Sequence, residues 1–221
     1  MRHGAVSYFG SDGRPVPPDG VGLNAEGRAQ AEAAGTLLAP VTFDRVIASG
    51  LPRTVETARI VAPEVELEAW PELRELRGDR LSSIPAEQLE SEFVHAFRGV
   101  VPLDRRFLGG ETIGELFDRV LPAVDRLLAD EGWDTALAVL HGGVNRAILS
   151  YALTGERMFL GHFEQAPGCV NVLDVGDEWI VRAVNIAPRD LLHASTRMTT
   201  MEGYWSEFEP FWRELKPDPS A

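Results

Sequence analysis

The chain has a single cysteine, Cys169, among its 221 residues. One thiol cannot form an internal disulfide, and it excludes a metal site built from several thiolates. The sequence also lacks an apolar run of the roughly 18 residues that span a bilayer, and its N-terminus has no signal-peptide pattern. These absences predict a soluble, cytoplasmic protein without a membrane partner.

Positive charge is scarce, because 21 Lys and Arg residues face 34 Asp and Glu residues and leave a net charge of −13. No basic run opposes this charge, so the chain would repel a phosphodiester backbone and no nucleic-acid partner is predicted. A small anionic substrate would instead need positive charge gathered in one pocket. The remaining composition, 44% hydrophobic and 25% charged, is that of an ordinary folded protein. We predict one domain over 1–221.

Short apolar runs alternate with longer amphipathic segments, which is typical of parallel strands covered by helices. This rhythm predicts an α/β fold, a three-layer α/β/α sandwich with a mostly parallel central sheet. The predicted elements are strands at 43–48, 135–140, 169–175 and 178–185, and helices at 53–61, 144–153 and 111–130, the last kinked by Pro122. A further helix is predicted to follow its N-cap Asn24. The residues predicted to face the core are Ala31, Ala34, Leu37 and Leu38. Residues 10–22 are predicted as a surface loop.

Polar residues follow two of the predicted strands. Arg53 follows the strand that ends at Ala48, and His141 follows the strand that ends at Leu140. Ligands bind beyond the carboxyl ends of strands in an open parallel sheet, so both positions suit chemistry. Arg2-His3-Gly4 would join them at a third strand end, but a strand of about five residues should precede it and only Met1 does. We therefore expect either a start upstream of Met1 or weaker support for His3.

Each of these positions also has an ordinary structural explanation. Arg2 and His3 could be solvated surface, and the two glycines after His141 could serve a tight turn that needs their backbone freedom. Arg53 could pair with a surface carboxylate. A cation at a helix start opposes the helix dipole, however, so Arg53 is slightly costly without an anion to bind.

Five short motifs occur in order between residue 2 and about residue 150. They are Arg2-His3-Gly4; Leu23, Asn24, Gly27, Gln30 and Ala31; Ser49, Arg53, Thr57 and Ala58; Gly109, Gly110, Glu111 and Thr112; and His141, Gly142 and Gly143. In this order and spacing the chain resembles the histidine phosphatase superfamily, which includes cofactor-dependent phosphoglycerate mutases and many small-molecule phosphatases. The resemblance implies a phosphoglycerate mutase-like fold with catalytic motifs in 2–150 and an accessory tail at 195–221.

The resemblance also implies a role for each motif residue. His3 would be the nucleophile that accepts the phosphoryl group, and splitting one displacement into two steps makes it easier. The phosphoryl oxygens would be bound by four residues: Arg2, Arg53, His141 and Gly142. Guanidinium groups suit this task because they donate charge-assisted hydrogen bonds in a planar fork. The general acid would be Glu75, with Glu72 as the main competitor.

No metal and no nucleotide cofactor are predicted. Three further histidines, His95, His162 and His193, form no metal-ligand pattern with their neighbours. The glycines at 20, 22 and 27 lack the spacing of a dinucleotide loop, and no phosphate-loop Gly-Lys-Ser/Thr occurs. We therefore expect catalysis with protein groups alone.

Two regions depart from the family pattern or extend beyond it. Ala5, Val6 and Phe9 stand where an acid or small polar residue, a hydroxyl and an asparagine are common, and the spacing after Glu75 is one residue tighter than in the family. The tail carries an aromatic stripe at helical spacing, made of Tyr204, Trp205, Phe208, Phe211 and Trp212. Such a stripe is predicted to dock on the chain's own body, while a contact in a homodimer or a lid over the pocket are the alternatives.

Together these features predict a phosphoric monoester hydrolase of the histidine acid phosphatase type that acts on a small phosphorylated metabolite. A phosphomutase is the first alternative, ranked lower because the chain is short of the extra segments that the resemblance associates with enclosing a mutase intermediate. A non-catalytic phosphate-binding homologue is the second, suggested by the unusual residues after Gly4. The substrate itself depends on loops at 9–21 and 77–102.

Overall fold

The computed structural model describes residues 1–195 and 197–215, so residue 196 and the end of the predicted tail at 216–221 lie outside the description. The helices are α1 (Ala25–Leu38), α2 (Pro52–Val61), α3 (Leu89–Val94), α4 (Ile113–Leu128), α5 (Gly142–Thr154) and α6 (Thr200–Leu215). The strands are β1 (Arg45–Ala48), β2 (Leu67–Ala69), β3 (Val100–Val101), β4 (Ala136–Val139), β5 (Phe159–Leu160), β6 (Val170–Val175) and β7 (Trp179–Ile186). None of the helices in the described ranges is long and apolar enough to cross a bilayer.

The central sheet has parallel strands in the order β2-β1-β4. On the open side of β4, the first residues of the chain continue it: the amide of Leu140 donates to Met1 O over 2.8 Å and that of His3 donates to Leu140 O over 3.0 Å. The amide of Arg2 then donates to Cys169 O over 2.9 Å, just before β6, which pairs antiparallel with β7. The predicted α/β fold with a mostly parallel sheet is therefore confirmed.

Helices cover both faces of this sheet, and successive residues of β1 show it. Val46 is buried in a cluster with Ala34 of α1 and Ala58 of α2. Its neighbour Ile47 is buried in the opposite cluster, which contains Phe117 of α4 and residues of α5. Successive side chains of a strand point to opposite faces of the sheet. Because Val46 and Ile47 are both buried against helices, a helix layer covers each face. The sheet is the middle layer of three.

The predicted elements occur with ends shifted by a few residues, and two local predictions differ from the structure. Asn24 caps α1 as predicted, its side chain accepting from the amide of Gly27 over 2.8 Å. Leu37 was predicted to face inward and is 46% exposed. Ala31, Ala34 and Leu38 share one face of α1, whereas Leu37 lies about a quarter turn away from it. The surface loop at 10–22 contains a short 3-10 helix, Pro18–Gly20.

A cleft of about 690 Å³ lies between β4 and β6, with Met1 in its lining. Its walls are mainly apolar and include Met1, Leu137, Leu149, Val170, Leu173 and Trp179. The amino group of Met1 donates to Ala138 O over 2.6 Å, beside this cleft. His3 is thus supported by a few main-chain hydrogen bonds at one end of the cleft, and the cleft itself is lined mainly by apolar side chains.

A short apolar extension ahead of Met1 should stabilise the fold by occupying this cleft. For four added β-branched or leucine residues we expect the free energy of unfolding to rise by about 2 kcal/mol. Each buried aliphatic side chain contributes about 1.5–3 kcal/mol, while ordering each residue costs about 1–2 kcal/mol. Urea denaturation measures the change, with a Gly-Ser extension of equal length as the control. Equal stability of the two variants would contradict the prediction.

Candidate active site

The carboxyl edge of the sheet gathers the predicted catalytic residues. Ser49 and Arg53 follow β1, His141 follows β4, and His3 pairs with Leu140 at the end of β4. All of these side chains are buried, with His3 1%, Arg53 2% and His141 0% exposed. The rings of His3 and His141 meet edge to face with centroids 5.1 Å apart. The solvated-surface explanation of Arg2 and His3 is therefore wrong, since Arg2 is also only 4% exposed.

The main chain holds His3 in one tautomer. Its Nδ1 lies 2.7 Å from Gly4 O. A carbonyl oxygen only accepts, so the proton is on Nδ1 and the neutral ring carries its lone pair on Nε2. Burial, together with the positive charges of Arg2 and Arg53, lowers the pKa of His3 well below the usual 6.5. His3 is thus a neutral imidazole with an available nitrogen nucleophile.

The second and third sequence motifs support the segment that carries His3. The amide of Gly4 donates to Thr57 Oγ1 over 3.1 Å, and that of Ala5 donates to Gln30 Oε1 over 2.8 Å. A Cβ added to Gly4 would lie 2.2 Å from Gly27 O, and one added to Gly27 would lie 2.0 Å from Ala5 O. Both glycines are therefore required by close backbone approach between α1 and the His3 segment.

Three buried nitrogens around His3 have no hydrogen-bond partner within the described ranges: Arg2 Nε, Arg53 Nε and His141 Nδ1. Other nitrogens of Arg53 and His141 do have hydrogen-bond partners. Arg53 Nη1 donates to Pro18 O over 2.7 Å, and His141 Nε2 lies 2.8 Å from Ser49 Oγ. An unpaired buried polar group costs about 1–3 kcal/mol, so three in one place indicate a binding site for a ligand with several acceptor oxygens.

Glu75 lies at the start of α5, beside His141. Its carboxylate accepts from the amide of Gly143 over 3.0 Å and from that of Leu76 over 3.0 Å. A Cβ built on Gly142 would lie 3.7 Å from Arg2 Nε and 3.7 Å from Glu75 Oε2, so the guanidinium and the carboxylate flank the same glycine. The carboxylate is thus near the group of unpaired nitrogens.

The glycine pair after His141 is required by space and not by a tight turn. Both residues belong to the first turn of α5, and neither is among the described residues with positive φ. A Cβ on Gly143 would lie 2.6 Å from Glu75 Oε1 and 2.8 Å from Leu76 Cδ1. Any side chain at Gly143 would push the Glu75 carboxylate away from the helix start.

Glu72, the competing acid, points elsewhere. Its carboxylate pairs with Arg126 at 2.9 Å on the partly exposed side of α4. A hydrogen bond from its own backbone and then the Arg126 contact lower the pKa of Glu72. These contacts favour its ionised form, and they leave Glu75 as the carboxylate beside His141.

Sequence reasoning missed the residues that orient the Glu75 segment. Arg119 of α4 forms a bidentate ion pair with Glu111, at 2.6 Å and 2.9 Å. Its Nη1 donates to Glu72 O and Arg74 O, each over 2.6 Å. Glu111 in turn accepts from the amide of Arg77 over 3.1 Å. The only sequence signal for this group was Glu111 in the Gly-Gly-Glu-Thr motif, and that motif was interpreted as the start of a helix.

Two tyrosines also lie at the site, and neither belongs to a motif. Tyr204 of α6 accepts from Arg2 Nη2 over 3.1 Å, and Tyr8 packs edge to face on Tyr204 with centroids 5.1 Å apart. The Arg53 guanidinium lies 5.7 Å from the Tyr8 ring centroid. The unusual residues after Gly4 are packed instead: Val6 is buried, and Phe9 contacts Phe208. The two tyrosines thus form part of the wall beside Arg2 and Arg53.

The remaining histidines lie outside this group. His95 bonds to Ser91, and His193 bonds to Asn185. Across the described ranges, no three His, Cys, Asp or Glu side chains are placed to share a metal ion. The arginines, His141 and the amides at the start of α5 are the groups that can hold an anion.

Nitrogen NMR should show His3 as the neutral Nδ1-protonated tautomer at pH 6.5. Because the pKa of His3 in the folded protein lies well below its ordinary value of 6.5, lowering the pH through 6.5 leaves Nε2 unprotonated, and protonation follows only well below that pH. Imidazole nitrogen shifts measured from pH 8 down to pH 5 test this, with a His3→Asn variant to assign the signal. A signal that titrates near 6.5 would refute a neutral nucleophile.

This chain is similar to known proteins over most of their length. The adenosylcobalamin/alpha-ribazole phosphatase of Salmonella typhimurium is 30% identical over 190 residues, which cover 79% of this chain and 88% of that protein. Phosphoglycerate mutase-like protein 4 of Arabidopsis thaliana is 28% identical, covering 82% of this chain and 81% of that protein. The solved alpha-ribazole phosphatase of Shigella flexneri matches with a TM-score of 0.63 at 26% identity, covering 84% of this chain and 94% of that one.

The family profile described as histidine phosphatase superfamily (branch 1) matches residues 1–187. This range includes every motif from Arg2-His3-Gly4 to His141-Gly142-Gly143, and it ends before α6. The chain therefore belongs to the histidine phosphatase superfamily.

Proposed function

We propose that this chain is a phosphoric monoester hydrolase that acts on a small phosphorylated metabolite through a phosphohistidine intermediate and without a metal ion. The observation that carries the proposal is the neutral His3 imidazole, with Nε2 free, next to three unpaired buried nitrogens on Arg2, Arg53 and His141. A nucleophile and several donors for phosphoryl oxygens are thus held together. The relatives named as phosphatases support the same reaction class.

In the first step, the Nε2 lone pair of His3 forms a bond to phosphorus while the bond from phosphorus to the leaving oxygen breaks. Glu75 supplies the proton that this oxygen needs. Arg2 and Arg53 stabilise the charge on the equatorial oxygens, and their fixed positions require no reorganisation. With the Ser49 hydroxyl donating to Nε2 of His141, its Nδ1 proton faces the same oxygens. The amide of Gly142 at the start of α5 adds a further donor.

In the second step, water attacks the phosphohistidine and its proton passes to Glu75. Orthophosphate leaves, and the lone pair returns to His3 Nε2. The lowered pKa of His3 keeps this nitrogen unprotonated in mildly acidic solution, which supports the acid phosphatase type. We further propose that the chain acts as one catalytic domain with the tail as an accessory, and that it works in the cytoplasm, where its one buried cysteine stays reduced.

Release of orthophosphate tests the proposal directly. The protein is incubated with p-nitrophenyl phosphate and with a panel of phosphorylated metabolites that includes phosphorylated alpha-ribazole and 3-phosphoglycerate. We expect orthophosphate to be released and no isomer of phosphoglycerate to form. Isomer formation without orthophosphate would indicate a phosphomutase, and binding of phosphate without turnover of any ester would indicate a non-catalytic homologue.

A further inference from the structure

Helix α6 contributes two hydroxyl groups to the guanidinium of Arg2. Arg2 Nη1 donates to Thr200 Oγ1 over 3.0 Å, and Arg2 Nη2 donates to Tyr204 OH over 3.1 Å. Residues 200 and 204 are four apart, so they share one face of the helix. Arg2 Nη1 also donates to Gln165 O. Both terminal nitrogens of Arg2 are therefore held, and Nε is the one left unpaired toward the anion site.

The two hydroxyls orient Arg2 without neutralising it. Burial raises the pKa of Tyr204, so its phenol stays protonated and uncharged beside the guanidinium. A carboxylate in either place would form an ion pair and weaken the attraction of Arg2 for a phosphoryl group. Neutral acceptors fix the plane of the guanidinium and leave its charge for the ligand.

Thr200 also connects α6 to the start of α5. Its hydroxyl donates to Glu164 Oε1 over 2.7 Å, and the other oxygen of Glu164 pairs with Arg146 at 3.1 Å. Arg146 Nη1 donates to Gly142 O over 3.1 Å, next to His141. One chain of polar contacts therefore runs from the first turn of α6 to the phosphate-binding end of α5.

Apolar packing holds the adjacent face of α6 in place. Met201, Trp205 and Phe208 are buried against α3, where Phe93 stacks with Phe208 at 5.7 Å. The predicted docking of the aromatic stripe on the chain's own body agrees with this packing. It also presents Thr200 and Tyr204 to Arg2, because they lie on the neighbouring face of the same helix.

We propose that Thr200 and Tyr204 are positioning residues for phosphoryl binding, because their hydroxyls hold the Arg2 guanidinium with Nε directed at the anion. Docking of α6 and affinity for phosphate are then coupled. This inference rests on the proposed function, since it assigns Arg2 to the phosphoryl group. The inference goes beyond that function because the phosphate site is then completed by α6, which lies outside the residues that the family profile matches.

Binding of orthophosphate, measured by calorimetry on the full chain, tests the inference independently of turnover. Tyr204→Phe keeps the ring and removes the acceptor, and we expect the dissociation constant of orthophosphate to rise roughly ten-fold. Thr200→Val should weaken binding similarly, and Thr200→Ser should restore it. Tyr151→Phe, whose ring packs on Trp179 with centroids 6.4 Å apart, is the matched control and should leave binding unchanged.

A double-mutant cycle with Arg2→Ala separates positioning from a loss of fold. If Tyr204 acts through Arg2, Tyr204→Phe has no further effect in the Arg2→Ala background. The same ten-fold loss in both backgrounds, or unchanged binding by Tyr204→Phe alone, would overturn the inference. In kinetic assays the Tyr204→Phe variant should raise KM for the ester by the factor seen for orthophosphate.

The outcomes also distinguish this inference from the proposed function. Weakened orthophosphate binding in Tyr204→Phe, with no ester turned over by the unmodified chain, would leave the positioning role intact and reject the hydrolase. Turnover by the unmodified chain with unchanged binding in Tyr204→Phe would do the reverse. An unmodified chain that neither binds orthophosphate nor turns over any ester would overturn both.

Discussion

Replacing His3 with alanine is expected to abolish ester hydrolysis, with a loss in kcat of about 10⁵-fold, as when the nucleophile of a covalent catalyst is removed. The physical reason is that no other described group combines an uncharged imidazole, a free Nε2 and the neighbouring unpaired donors of Arg2 and Arg53. A stopped assay with p-nitrophenyl phosphate measures the loss. The same variant should no longer incorporate acid-labile, alkali-stable phosphate when it is mixed with labelled substrate and quenched.

Two controls make the result specific to the nucleophile. His95→Ala removes an exposed histidine that bonds to Ser91, and it should leave both turnover and phosphate incorporation unchanged. His3→Ala itself should still bind orthophosphate, because Arg2, Arg53 and His141 remain. A His3→Ala variant that retained activity within ten-fold would show that water attacks phosphorus directly, and the phosphohistidine would have to be abandoned.

The carboxyl-edge residues were predictable because local patterns determined them. β1 and β4 are short, mainly apolar strands that polar residues follow, and parallel strands bring their carboxyl ends to one edge of the sheet. Arg53 and His141 therefore meet without any knowledge of the loops. The place of His3 was less certain from sequence, since its main chain is held by pairing with Leu140 and Gly168, far along the chain.

Residues that act from a distance were not predictable. Arg119 is one charge on an amphipathic helix, and such charges are usually solvated. Thr200 and Tyr204 are about 200 residues away from Arg2, and the stripe that contains Tyr204 indicates packing and not catalysis. Their role follows from the three-dimensional course of the chain before α6, which no periodicity or motif specifies.

The strand pairing was also only partly predictable. β2 is the three-residue segment Leu67–Ala69, and its Leu-Glu-Ala sequence is too short for alternation or an apolar run to indicate a strand. It becomes a strand because the main chain of β1 offers it a parallel partner, with Ile47 opposite Glu68. Tertiary contact in such a segment decides what local preference leaves open.

Replacing Glu75 with glutamine is expected to slow hydrolysis of an alkyl phosphate by about 10²–10³-fold, the contribution of one positioned general acid. The amide preserves the shape of the side chain, and its oxygen can still accept from the amides of Gly143 and Leu76. What it lacks is a proton for the leaving oxygen. Glu72→Gln is the matched control, and with its carboxylate paired to Arg126 we expect nearly unchanged rates.

Comparing two leaving groups shows whether Glu75 donates the proton to the leaving oxygen or only maintains the structure of the site. A p-nitrophenolate ion leaves without protonation, so the first step in Glu75→Gln should stay fast with p-nitrophenyl phosphate. The second step should be slow, because water then lacks its base. Rapid mixing should therefore show a burst of nitrophenol and a trapped phosphohistidine with the aryl ester, and neither with the alkyl ester. An equal slowing of the first step for both esters would reject Glu75 as the acid, and the same pattern in Glu72→Gln would transfer the role to Glu72.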